Sequence, residues 1–166
     1  MPPHPTFPFL DWPGPLPFAH RGGASEAPEN TMPAFEHAVR LGYRYLETDV
    51  HVTADGELLA FHDDHLDRVT DRTGAIADLP WSEVRRALVD GREPIPRFED
   101  LLGAWPDVRI NVDPKHDAAV EPLAEVIRRT GAVDRICVGA FSDRRLDRIQ
   151  ALVGPRLCRS MGPRQV

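Results

Sequence analysis

The chain has 166 residues, a net charge of −6 and 42% hydrophobic residues, enough apolar content for one buried core. The acidic balance argues against a nucleic-acid binder, which presents a basic surface, and no run approaches the ~20 apolar residues of a membrane span. The two cysteines, Cys137 and Cys158, lie in apolar stretches and read as buried thiols of a reducing, cytoplasmic compartment rather than as a disulfide or a metal site.

Residues 1–15 form a proline-rich arm, and residues 16–166 the domain. The arm lacks a basic start and a continuous apolar core, so it is not a signal peptide. It is either loose or a plug for the bottom of a barrel, using Phe7, Phe9 and Trp12. Leu16 to Ala19 is a first strand, and it runs into His20-Arg21-Gly22. "ENTMPAFEHAVRLGY" follows as a helix, with Phe35, Ala38 and Val39 at helical spacing, Pro33 near its start and Gly42 at its end. "RYLETDVHV" is the second strand, "ADG" a turn and "ELLAFHD" a further extended stretch. Residues 63–96 are mixed, with a short helix at "PWSEVRRAL"; "RFEDLLGAW" is another helix. "VRINVD" is the third barrel-type strand. The stripe Val120, Leu123, Ala124, Ile127 then marks a helix ending at Gly131. "RICVGAF" is a fourth strand, "SDRRLDRIQALVG" a helix capped by Ser142, and "RLCRSM" a fifth strand. Strands alternating with helices imply a parallel sheet with helical crossovers, either doubly wound or a TIM-type barrel.

Side chains alternate along a strand, so Tyr45, Glu47, Asp49 and His51 share one face. Two carboxylates there mean either a solvated face or, in a covered parallel sheet, a cation site. Asn111 and Asp113 share a face of the third strand, and Lys115 follows. Three carboxylates without a thiolate favour Mg²⁺ or Ca²⁺ over zinc. Arg21 offers a fork of donors suited to phosphate, and Gly22 would let a substrate approach the backbone. His20 and His62 each end an apolar run, while His51 reads as a solvated or supporting residue.

"HRG" after a strand, "ENT" at a helix start and "ETDVHVTADGELLAFHD", followed more loosely by "IPRFEDLL" and "NVDPK", resemble the glycerophosphodiester phosphodiesterase family. The resemblance implies a TIM-type (β/α)8 barrel and hydrolysis of small-molecule glycerophosphodiesters to glycerol 3-phosphate and an alcohol with a divalent cation. His20 and His62 match the general acid and base, with the order of the two left open, as is direct attack by water or through a cyclic phosphate. Glu47 and Asp49 match metal ligands. Asp113 stands where the family has a longer glutamate, and Lys115 matches the lysine two residues on. Arg21 matches the phosphate-contacting arginine, and Glu29 and Asn30 the "EN" pair at the rim of the site. An eight-stranded barrel takes about 250 residues, so this sequence is expected to supply only about the first five β/α units, an open and incomplete barrel. Its two open edges are expected to make the isolated chain aggregate or depend on a partner. The alternatives are a non-catalytic phosphate-binding or structural remnant and a phospholipase of the same superfamily.

Overall fold

The computed structural model describes residues 7–165. Five parallel strands carry the domain: β1 (Phe18–His20), β2 (Tyr45–Val52), β6 (Arg109–Pro114), β7 (Ile136–Val138) and β8 (Cys158–Arg159). They lie side by side in chain order, so each crossover moves one place along the sheet. The sheet is open among the described residues: an incomplete TIM-type barrel, as the strand count implied.

Three short strands lie off this path. The stretch predicted as extended at residues 57–63 becomes β3 (Leu58–Ala60), which turns back antiparallel on β2. The segment that follows, lacking clear periodicity, contains the hairpin β4 (Leu88–Val89) and β5 (Glu93–Pro94). Asp90 and Gly91 take φ of 52° and 68° at its turn, values that favour Asp, Asn and Gly. A small core of Leu59, Phe61, Leu66, Ile76, Val84 and Val89 holds this excursion together.

The helices are α1 (Met32–Arg40), α2 (Trp81–Val84), α3 (Phe98–Ala104), α4 (Val120–Thr130) and α5 (Asp143–Val153). Helix α2 is shorter than its sequence pattern promised. Gly131 ends α4 at φ 66°, and the Ser142 hydroxyl accepts from the Arg145 N–H at the start of α5, as expected of a C′ glycine and an N-cap serine. Phe35, Leu101, Leu123, Ile127, Leu146 and Ile149 pack with the outward strand residues Leu46, Val50, Ile110 and Val112 in the main core.

The opposite face is the inner one. At its N-terminal end the part of the arm from Phe7 onward folds in rather than hanging loose, residues 1–6 lying outside the described residues. Phe9 is buried edge-on against Tyr45, with ring centroids 5.2 Å apart, and Trp12 meets the same ring at 5.7 Å. The Tyr45 hydroxyl donates to the Phe9 carbonyl at 2.6 Å, and Arg109 Nη1 donates to the Asp11 carbonyl at 2.8 Å. Cys137 and Cys158 sit in this aromatic cluster as buried free thiols. The floor of the inner face is therefore closed, and its C-terminal end carries the polar residues.

Candidate active site

The strand register arranges the inner face in rows. His20, Glu47 and Asn111 are lateral neighbours on β1, β2 and β6. Asp49 and Asp113 form the next row, one side-chain repeat nearer the C-terminal ends. The ends of the barrel strands, where TIM-type sites are built, thus gather the residues that the sequence singled out from three separate strands.

Strand β1 ends one residue later than predicted, and His20 is its last residue. The chain then turns sharply, with Arg21 at φ 50°, an unusual value for a residue with a Cβ. This turn aims the Arg21 N–H at Glu47 Oε2, 3.1 Å away. The Arg21 side chain folds back beside Asp49, Nε to Oδ2 3.5 Å, and donates to Glu29 Oε1 at 3.1 Å. Gly22 follows at φ 80°; a Cβ there would lie 3.0 Å from Ala34 Cβ and from Phe35. The missing Cβ thus makes room for α1. The His20 imidazole is mostly open to solvent, with Nε2 3.8 Å from Glu47 Oε2.

Lys115 Nζ lies 2.8 Å from Asp49 Oδ1 and 2.8 Å from Asp113 Oδ2. Burial opposes its charge, but the hydrogen bonds it donates to Asp113 and Asp49 outweigh that, and its pKa stands above the ordinary lysine value. The three candidate carboxylates therefore do not close into one cage: no group of three such side chains converges among the described residues. Their chemistry nonetheless suits a hard cation. Asp49 Oδ2 is buried without a hydrogen-bond partner, and Glu47 carries more negative charge around it than it can easily hold. Burial, and then the adjacent Asp49, raise the Glu47 pKa above its ordinary 4.5.

That shift has a measurable consequence. The folded chain holds the Glu47 proton more tightly than the unfolded chain. Stability therefore falls as pH rises from the ordinary value through the raised one. Glu47→Gln, which keeps an acceptor for Arg21, should raise Tm at pH 7 in chelator-treated protein. The gain should shrink as pH falls through the raised pKa and be absent below the ordinary 4.5, and a lower Tm at pH 7 would contradict this electrostatic assignment.

His62 lies two residues beyond β3 rather than on a barrel strand. It reaches the same rim because the Phe61 N–H donates to the Asp49 carbonyl at 2.9 Å. Its Nδ1 is 2.6 Å from Asp63 Oδ1. His51 is buried, and its Nε2 donates to the His62 carbonyl at 2.9 Å. Burial lowers its pKa, so it is a neutral brace for the His62 backbone and not a solvated residue.

Glu29 accepts from Arg21 and from Arg68. Burial raises its pKa, but the Arg68 hydrogen bond and both arginine charges outweigh this and hold it below the ordinary range. Asn30, expected at the rim, is instead 2% exposed. At φ 54° it turns inward, its N–H donating to the Arg21 carbonyl and its Oδ1 accepting from Thr48 on the outer face of β2. It shapes the Arg21 turn from behind.

A cavity of about 600 Å³ opens beside this cluster, lined by Glu47, Asn111, Asp113, Gly139, Phe141 and Met161. Phe141 is 93% exposed at its wall. Sequence reasoning placed Asn111 on the correct face without giving it a role, and it passed over Phe141, Asp63 and Arg68.

Comparison with known proteins bears on this arrangement. Residues 20–154 match the Glycerophosphoryl diester phosphodiesterase family. The chain is 43% identical over 159 residues to a probable glycerophosphodiester phosphodiesterase 2 of Mycobacterium tuberculosis, covering 95% of this chain and 60% of that protein. It is 34% identical over 126 residues to human lysophospholipase D GDPD1, covering 67% of this chain and 40% of that one. Among solved structures, a phosphodiesterase from Oleispira antarctica in complex with the product sn-glycerol-3-phosphate superposes with a TM-score of 0.80 at 27% identity, covering 87% of this chain and 64% of that one. A glycerophosphodiester phosphodiesterase from Agrobacterium tumefaciens gives 0.80 at 29% identity, covering 87% and 65%. The chain thus spans about 60% of the length of its mycobacterial relative.

Proposed function

The chain belongs to the glycerophosphoryl diester phosphodiesterase family, and on that premise we propose that the full-length protein hydrolyses glycerophosphodiesters to sn-glycerol 3-phosphate and an alcohol. The observation that carries this is the row His20, Glu47, Asn111 with Asp49 and Asp113 beside it at the strand ends, where Glu47, Asn111 and Asp113 line one cavity. Support also comes from the sn-glycerol-3-phosphate complex of the Oleispira antarctica phosphodiesterase.

In this reading Arg21 and Lys115 draw the phosphate of the substrate to the rim, each already held by carboxylates in a fixed orientation. One of His20 and His62 takes the proton of the attacking hydroxyl as the new P–O bond forms. The other gives a proton to the departing alkoxide as the old P–O bond breaks. Glu47, Asp49 and Asp113 are the residues that would hold a divalent cation, Mg²⁺ or Ca²⁺. When bound, that cation supplies positive charge to neutralise the phosphate oxygens. No helix among the described residues is long and apolar enough to cross a membrane.

A second reading has its own support. Phe141 and Met161 expose apolar surface at the cavity, and the human relative is named a lysophospholipase D. Choline release from sn-glycero-3-phosphocholine and from lysophosphatidylcholine separates the two. The full-length protein should turn over glycerophosphocholine at the higher kcat/KM. A preference for the lysophospholipid would move the assignment to the second reading, and release from neither would leave a non-catalytic phosphate-binding domain.

A further inference from the structure

Arg68 lies in the polar loop after β3 and has no place in the chemistry described so far. Its guanidinium grips two carboxylates at once. Nε and Nη2 donate to Asp63 Oδ2 and Oδ1 at 2.6 and 2.9 Å, and Nη2 and Nη1 donate to Glu29 Oε1 and Oε2 at 2.7 and 3.3 Å. Each carboxylate holds a site residue on its far side: Asp63 meets His62 Nδ1 at 2.6 Å, and Glu29 accepts from Arg21 Nη1 at 3.1 Å. Among the described residues, no other side-chain hydrogen bond joins the loop carrying Arg21 and Glu29 to the loop carrying His62.

We propose that Arg68 is a positioning residue that clasps the two site loops together and fixes His62 with its proton on Nδ1. The nitrogen of an imidazole that carries the proton is set by the hydrogen bond it makes. A carboxylate pinned by a bidentate arginine accepts only, so Asp63 holds the Nδ1–H form and leaves Nε2 as the ring nitrogen that exchanges a proton. The fork is essential to this. Lysine carries the same charge but lacks the planar donor set that spans two carboxylates in a defined geometry. Without Arg68, Asp63 and Glu29 would face each other as like charges with no shared cation between them, and the anchors of both His62 and Arg21 would loosen together.

The proposal rests on the reading of His62 as a group that exchanges a proton with substrate, and the test separates the two. Two-bond ¹H–¹⁵N correlation spectra of histidine-labelled full-length protein report the tautomer of His62, assigned by the signals missing in His62→Gln. The wild-type protein should show the Nδ1–H pattern. Arg68→Gln and Arg68→Lys should both shift His62 toward Nε2–H, with kcat for glycerophosphocholine falling ~10-fold or more. Unchanged tautomer in either folded variant overturns the clasp. Asp63→Ala, which removes the acceptor for Nδ1–H, supplies the same readout if neither arginine variant folds, and an unchanged tautomer there overturns it equally. A shifted tautomer combined with full activity in His62→Gln would leave the clasp standing and reject the catalytic role of His62.

Discussion

His20→Ala and His62→Ala should each lower turnover of glycerophosphocholine by about 10²–10⁴-fold, the usual contribution of one positioned acid or base. That range corresponds to roughly 3–5 kcal/mol of transition-state stabilisation. His65→Ala is the control: its imidazole is exposed and paired only with Asp64 in the loop, and turnover should stay near the wild-type value. His51→Ala should fall between, because it removes the buried donor to the His62 carbonyl without removing either candidate acid–base imidazole. Steady-state kinetics on the four variants, with circular dichroism to confirm folding, reads the order directly. Equal, small losses at all four positions would return His20 and His62 to a structural role.

The second large effect concerns the carboxylates. Chelation should abolish turnover, and Mg²⁺ or Ca²⁺ should restore it. Glu47→Gln combined with Asp49→Asn should remove the metal-dependent turnover by on the order of 10³-fold or more, since these charges act where negative charge develops. The physical basis is the imbalance at this end of the sheet. Asp49 Oδ2 is buried without a hydrogen-bond partner, and Glu47 is raised by burial and by Asp49 beside it. A double variant with full metal-dependent turnover would show that the cation is held elsewhere.

Much of this arrangement was legible in the sequence where strand periodicity governs it. The period of two placed Glu47 and Asp49 on one face, and Asn111 and Asp113 on another strand's matching face; the register then brought those faces side by side. The parallel order of five strands followed from alternating strand and helix patterns. What was not legible lies in the loops. Arg68 reaches 39 positions back to Glu29, and no local pattern in the mixed segment announces such a contact. Asn30 was misplaced because a motif names a residue without giving its direction, and a left-handed backbone turns this one inward. Nor does the sequence show that the crowding at the missing Cβ of Gly22 comes from α1. The sequence of the arm allows two outcomes, and in its described part, residues 7–15, Phe9 and Trp12 pack on Tyr45.

The most direct measurement of the central claim is a crystal structure of the full-length protein with sn-glycerol 3-phosphate and Mn²⁺, using the anomalous signal to locate the ion. The phosphate should lie within hydrogen-bond reach of Arg21 with His20 and His62 beside it, and the ion should contact oxygens of Glu47, Asp49 and Asp113. Lys115 should move off at least one of the two aspartates it now bridges. Phosphate and ion bound away from these strand ends, for example in the cleft lined by Arg128, Val133 and Arg156, would contradict the assignment of the site.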